Sequence, residues 1–308
     1  MELIRLIGVP MDLGADRRGV DMGPSAIRYA SVTKKLKDLG HQVIDSGNLS
    51  IRTLGDSTLD LSSVAISKFG HHIKFEEEIA EACEELSKHV ELALLKNEFP
   101  LVIGGDHSIA MGTLAGIAKH HSQKIGVIWF DAHGDLNTPD TTPSGNIHGM
   151  SLAVALGRGS GRLMRMFEHQ AVIRPENVVI IGARDLDPGE KELIKDLGIT
   201  VFTMHDIDRL GINNVMERAI KIVSKETKWV HLSLDVDGVD PQFAPGVGTP
   251  VPGGLSFRES NFCMEILAKS GCVRSLDVVE VNPILDKQNR TAELAVSLIL
   301  ALFGDTIL

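Results

Sequence analysis

The stretch Ile125–Asn137, I-G-V-I-W-F-D-A-H-G-D-L-N, decides the fold. Its first six residues are apolar without alternation, the pattern of a strand covered on both faces. The next seven put Asp131, His133, Asp135 and Asn137 at alternate positions. In extended chain such residues share one side. A covered strand that ends in acid, imidazole and acid implies a ligand at the carboxyl end of a parallel sheet.

Similar apolar runs recur at Leu3–Gly8, Gln42–Asp45, Leu101–Ile103, Asn177–Ile181, Thr200–Thr203, Trp229–Leu234 and Val273–Val279. Helical patterning lies between them, at Pro24–Leu39, Phe75–Lys96, Ser108–His120, Gly149–Ala155, Gly189–Asp196, Asn213–Ser224, Phe257–Lys269 and Thr291–Phe303. Eight such β-α units predict a parallel α/β fold, either an open sheet or a barrel; periodicity does not separate the two. The polar, poorly patterned segment Asn48–Gly70 reads as a surface excursion. With no repeat and no linker, residues 1–308 read as one domain.

At 308 residues and 43% hydrophobic content the chain can bury a sizeable core. A net charge of -10 argues against a nucleic-acid or anionic-membrane partner. The longest apolar run, Ala295–Phe303, falls far short of the roughly 20 residues a membrane span needs. The opening M-E-L-I-R-L-I carries charges inside its first apolar run, unlike a signal peptide. Cys83, Cys263 and Cys272 form no C-x-x-C and read as free thiols of a reducing, cytoplasmic compartment.

Two more strand ends are polar. G-G-D-H-S, with His107, follows Leu101–Ile103, and D-V-D-G-V-D, with Asp235 and Asp237, follows Trp229–Leu234. Two imidazoles and four carboxylates can thus converge. Clustered carboxylates repel one another unless a cation cancels them. Six ligands exceed what one catalytic ion with an open position takes, and suit two ions about 3.5–4 Å apart. An oxygen-rich set with two imidazoles favours Mn2+ over Zn2+; Fe2+ and Co2+ fit as well. One D-x-H alone is more often a turn; three such motifs at three strand ends outweigh that reading. The pairs His71-His72 and His120-His121 fall at helix ends and read as surface residues.

With these motifs, the segments at 8–28 (G-V-P-M-D-L-G-A-D-R-R-G-V-D-M-G-P-S-A-I-R), 137–150 (N-T-P-D-T-T-P-S-G-N-I-H-G-M), 184–190 (R-D-L-D-P-G-E) and 280–283 (E-V-N-P) resemble the ureohydrolases over nearly the whole chain. Within them the resemblance is to the arginase family, on the 137–150 and 184–190 segments. It implies a three-layer α/β/α sandwich on a parallel eight-stranded sheet. It implies hydrolysis of L-arginine to L-ornithine and urea by hydroxide bridging two Mn2+ ions. His107, Asp131, Asp135 and Asp235 would hold one ion, and His133, Asp131, Asp235 and Asp237 the other. Asp135 would relay a proton, His148 would shuttle one, and Glu280 would orient the guanidinium, with Thr249 in the same region. Asn137, Thr142 and Ser144 would face the α-carboxylate, and Asp187 and Glu190 the α-ammonium. The resemblance also implies a homo-oligomer, a trimer or hexamer, and the short tail after the last helical segment favours the bacterial-type arrangement. Three rivals stand beside it: an agmatinase or another guanidino or formimino hydrolase, a mononuclear Zn2+ deacetylase, and a silent metal-binding protein.

Overall fold

The computed structural model describes residues 1–53, 64–66, 72–121, 125–168, 170–227 and 229–306. Its strands are β1 Leu3–Val9, β2 Gln42–Asn48, β3 Val64–Ile66, β4 His72–Lys74, β5 Phe99–Gly104, β6 Ile125–Phe130, β7 Val178–Ala183, β8 Thr200–Thr203, β9 Trp229–Asp235 and β10 Val273–Val279. The helices are α1 Gly23–Tyr29, α2 Val32–Asp38, α3 Glu76–Leu95, α4 Ala110–His121, α5 Ser151–Ala155, α6 Pro188–Leu197, α7 Met204–Leu210, α8 Ile212–Val223, α9 Phe257–Ser270 and α10 Arg290–Leu302.

Eight strands form one parallel sheet in the order β2-β1-β5-β10-β9-β6-β7-β8. The sheet is open, with β2 and β8 at its edges, so the barrel alternative falls. Alternate strand residues feed two cores. Leu6, Leu101, Ile128, Phe130, Leu232 and Leu276 pack with α1, α2, α8, α9 and α10. Ile7, Val102, Val127, Trp129 and Ile180 pack with α3, α4 and α5 on the other face. These are the three layers expected, and each fully buried aliphatic or aromatic side chain contributes about 1.5–3 kcal/mol. Gly126 is required within β6: a Cβ there would lie 2.1 Å from the Val223 carbonyl oxygen of α8.

All eight expected strands are present, with ends shifted by up to two or three residues. The expected helix Pro24–Leu39 is two helices, because Ser31 adopts φ 67°, outside the helical region. α7 was not anticipated; Thr203 caps it, its hydroxyl accepting from Asp206 N at 3.2 Å. Within the expected excursion Asn48–Gly70, residues 54–63 and 67–70 lie outside the described residues, as does His71. The backbone of 64–66 pairs antiparallel with 72–74 as a small hairpin. Cys83, Cys263 and Cys272 are all free. Among the described residues no helix is long and apolar enough to cross a membrane.

Helices α3 and α4 meet through Gly112 and Gly116. A Cβ on Gly116 would sit 2.6 Å from the Ser87 carbonyl oxygen and 2.7 Å from Val90 Cβ. Gly116→Val should therefore cost at least about 1–3 kcal/mol, read as a lower urea midpoint with an unchanged slope.

Candidate functional site

The polar residues gather at the carboxyl ends of β5, β10, β9 and β6, four adjacent strands at the middle of the sheet. β5 leads through Gly105 and Asp106 into a 3-10 turn, His107–Ile109. Gly105 passes so close to Met11 that a Cβ would fall 1.8 Å from its carbonyl oxygen. Asp106 accepts from Gly14 N at 2.8 Å and from Ser108 N at 3.0 Å, which fixes the turn and with it His107.

After β6 the chain does not stay extended, contrary to the expectation from alternation. Residues 131–133 bend, His133 N donating to Asp131 Oδ1 at 2.6 Å, and Asp135 adopts φ 50°. Asp235 and Asp237 likewise flank a 3-10 turn, with Asp237 N donating to Asp235 Oδ1 at 2.7 Å. Short side-chain-to-backbone bonds replace the strand ladder at both places. Convergence is therefore produced by turns, and the residues still meet.

His107 Nδ1 lies 3.1 Å from Asp131 Oδ2, 2.9 Å from Asp135 Oδ2 and 3.2 Å from Asp235 Oδ2. His133 Nδ1 lies 3.3 Å from Asp131 Oδ1 and 3.1 Å from Asp237 Oδ2. Asp131 thus belongs to both groups, His107–Asp131–Asp135 and Asp131–His133–Asp237. Asp235 faces the His107 side.

The electrostatics are those of a cation site. Burial, then Asp131, pushes the Asp135 carboxyl up to about 6. Burial, then Asp237 and Asp131, raises Asp235 well above the ordinary range. Burial alone would lower His107 and His133, but the surrounding carboxylates outweigh it and raise both. The proton so demanded stands where a metal would. Despite the short distances, His107 Nδ1 and Asp135 Oδ2 make no hydrogen bond and are buried. Two orphaned atoms that converge without bonding each other are the arrangement a shared cation explains. The donor set of imidazole nitrogens and carboxylate oxygens fits a divalent metal.

A cavity of about 120 Å³ opens from this cluster. It is lined by His133, Asp135 and Asp235, and by Asn137, Thr142, Ser144, His148, Asp187, Glu190 and Thr249, so every residue expected at the amino-acid end reaches one space, while Glu280 is not among the lining residues. Asn137 Nδ2 donates to Asp187 Oδ2 at 2.8 Å. Glu190 buttresses the wall: its two oxygens accept from Leu136 N at 3.0 Å and Asp187 N at 2.8 Å. Burial pushes its carboxyl up to about 7. Thr249 donates its hydroxyl to Asp237 Oδ2 at 2.9 Å, so it braces a candidate ligand.

Glu280 is buried, left-handed at φ 65°, and accepts from His107 N at 2.9 Å through Oε1. The same Oε1 meets His148 Nδ1 at 3.1 Å, while Oε2 has no partner. His148 is anchored by its backbone N, which donates to Gly14 O at 3.1 Å. Burial would lower its imidazole pKa, but Glu280 first and Asp135 next carry it up to about 9.

Sequence reasoning gave Arg184 no role. Its guanidinium donates to the carbonyls of Val251, Asp237, Gly182 and Gly238 at 2.7–3.2 Å. It thereby ties the turn that carries Asp237 to the loop behind Thr249. Its backbone N donates to Ala132 O at 2.8 Å, between Asp131 and His133. A lone cation among strand-end acids was the available signal, but carbonyl partners leave no mark in a sequence. Trp129 was likewise missed: its indole donates to Asp131 Oδ2 at 3.0 Å and its ring stacks on His107 at 4.2 Å.

A family model described as the Arginase family matches residues 2–304. An arginase of Brevibacillus brevis is 54% identical over 303 residues, covering 98% of each chain. The structure of the arginase of Bacillus caldovelox superposes with a TM-score of 0.94 at 51% identity over 100% of both chains. The crystal structure of Entamoeba histolytica arginase in complex with L-ornithine has a TM-score of 0.87 at 33% identity, covering 99% of this chain and 100% of that one.

The His148–Glu280 pair generates a pH test. A histidine raised from 6.5 to about 9 contributes stability fully present below its unfolded pKa and lost as pH rises through about 9. In chelator-treated protein, the melting-temperature gap between wild type and His148→Ala should be widest near pH 6 and shrink by pH 10.

Proposed function

The chain belongs to the arginase family, and from that premise we propose that it hydrolyses the guanidinium of L-arginine to L-ornithine and urea at a dinuclear Mn2+ centre. The carrying observation is the pair of imidazole nitrogens that share Asp131, in a cluster that opens through His133, Asp135 and Asp235 onto one cavity. His107, Asp131, Asp135 and Asp235 would hold one ion; His133, Asp131, Asp235 and Asp237 would hold the other. Bound there, the ions would supply hydroxide near neutral pH from a shared water.

The remaining work falls to side chains. Glu280 Oε2, buried and without a partner, would take the substrate guanidinium. Asp135, at the junction of ligand cluster and cavity, would carry a proton toward the leaving amine. His148 would exchange protons with solvent, and its bond to Glu280 defines its resting position. At the far end, the hydroxyls of Thr142 and Ser144 with Asn137 would hold the α-carboxylate. Asp187, directly, and Glu190, through water, would hold the α-ammonium. A cavity with carboxylates at both ends suits a substrate that is cationic at both ends. Thr249 would act on Asp237. The chain is read as a single catalytic domain over residues 1–308, working in the cytoplasm as a homo-oligomer.

Urea release from L-arginine by Mn2+-loaded protein tests the reading. Activity should vanish on removal of metal by EDTA and return with Mn2+; no urea from folded, metal-loaded protein overturns it. Agmatine keeps the amine and lacks the carboxylate. Ser144→Ala should therefore lower kcat/KM for arginine about tenfold or more, the worth of a hydrogen bond to a charged group, and leave agmatine unchanged. Asp187→Ala should lower both.

A further inference from the structure

The described mechanism leaves a run of buried polar side chains unused. It begins at His107 and passes beneath the ligand cluster, between β9 and β10. His107 Nε2 meets Ser233 Oγ at 2.8 Å, and Ser233 Oγ donates to Asp277 Oδ1 at 2.6 Å. The other Asp277 oxygen meets His231 Nε2 at 3.0 Å, and His231 Nδ1 meets Ser275 Oγ at 3.0 Å. Trp229 closes the run, its indole donating to Ser275 Oγ at 3.3 Å. Ser233, Asp277, His231 and Ser275 have no exposed surface at all. Polar groups so deep among aliphatic strands cost free energy unless every donor has its acceptor.

Counting donors and acceptors fixes the direction of the bonds at Asp277 and Ser233. An indole N–H can only donate, so Ser275 Oγ accepts it, and its remaining lone pair or its own proton meets His231 Nδ1. An ionised carboxylate only accepts, so His231 donates its Nε2–H to Asp277. Two hydrogen-bond partners converge on the Asp277 carboxylate, Ser233 Oγ on Oδ1 and His231 Nε2 on Oδ2, and favour its ionised form. As an anion it only accepts, so the Ser233 proton points to it. The Ser233 oxygen is left to accept from His107 Nε2–H.

We infer that Asp277 is a positioning residue that, through Ser233, fixes His107 in the tautomer whose bare Nδ1 faces Asp131, Asp135 and Asp235. The stacked ring of Trp129 fixes the plane of His107, and Asp277 fixes which nitrogen is free. This rests on the reading of His107 as a metal ligand. An asparagine at 277 breaks the sequence of donors. With its amide N–H toward Ser233, the serine proton is no longer held by a carboxylate and is free to turn to His107 Nε2, which admits the tautomer protonated on Nδ1. With its oxygen toward Ser233, His231 loses its acceptor.

The test compares wild type, Asp277→Asn, Ser233→Ala and the double variant. Mn2+ binding to chelator-treated protein is measured by calorimetry. The His107 tautomer is read from nitrogen-15 histidine spectra of the Zn2+-loaded, diamagnetic protein. Asp277→Asn should weaken one of two Mn2+ sites about tenfold or more, in the range of partners one bond removed from a ligand, and give mixed-tautomer signals for His107. The double variant should bind no worse than the weaker single variant, because both cut the same path. Wild-type affinity in Asp277→Asn, additive losses in the double variant, or a lower melting temperature with an unchanged His107 signature each overturn the inference. If Asp277→Asn does not fold, Ser233→Ala decides by the same two readouts. A wild-type chain that takes up no Mn2+ overturns the metal reading and the inference together. Wild-type uptake with an unaffected Asp277→Asn overturns the inference alone.

Discussion

The mutual repulsion of Asp131, Asp135, Asp235 and Asp237 governs this molecule. All four are buried at the ends of neighbouring strands. Burial and like charge both disfavour ionisation, and the two histidines among them cannot neutralise four anions. Such a cluster persists in a folded chain only if the surrounding structure is rigid enough to hold it and a bound proton or cation relieves it. The local architecture answers the first need: turns closed by their own aspartates, Gly105 pressed against Met11, and Arg184 locked to four carbonyls. Arg184 also brings positive charge close to Asp237 and Asp131 without offering a donor to their carboxylates. It eases the repulsion and takes up none of their carboxylate oxygens.

The strands and the candidate ligand residues were legible because their signals are local. A run such as Ile125–Phe130 reads as covered strand whatever surrounds it, and acids and histidines stand out at its end. The conformation that presents them was not legible. Alternation at 131, 133 and 135 suggested extended chain, while the Asp131 side chain captures His133 N and bends it. The break at Ser31 carried no glycine or proline to announce it. Open sheet or barrel depended on which strands pair, and pairing between β5 and β10, more than 150 residues apart, is not written in either segment. The substrate-end residues came from resemblance; their reach into one cavity is a property of the fold.

D-P-G-E at 187–190 shows how one segment serves two purposes. Its aspartate and glutamate start α6, where carboxylates meet unpaired backbone N–H groups and the positive end of the helix dipole. Glu190 also reaches back to Leu136 N, joining the helix start to the loop that follows the ligands. The same residues line the cavity. Helix initiation, loop position and wall chemistry are therefore not separable by substitution at either residue, and a change in turnover alone cannot say which was lost.

The order β5-β10-β9-β6 also sets a schedule for the growing chain. β5 and β6 follow each other in sequence, yet the two strands between them are the last of the sheet to be synthesised. When the ribosome has delivered β1 through β8, the polypeptide holds two half-sheets with raw inner edges. His107 sits on one half and Asp131, His133 and Asp135 on the other. Only when residues 229–280 emerge can β9 and β10 wedge between them, bringing Asp235, Asp237 and Glu280. Loop closure over such separations is slow, and unpaired edges invite wrong partners. The nascent chain thus keeps its two inner edges unpaired until β9 and β10 have emerged, and the candidate ion-binding cluster is complete only when translation is well advanced.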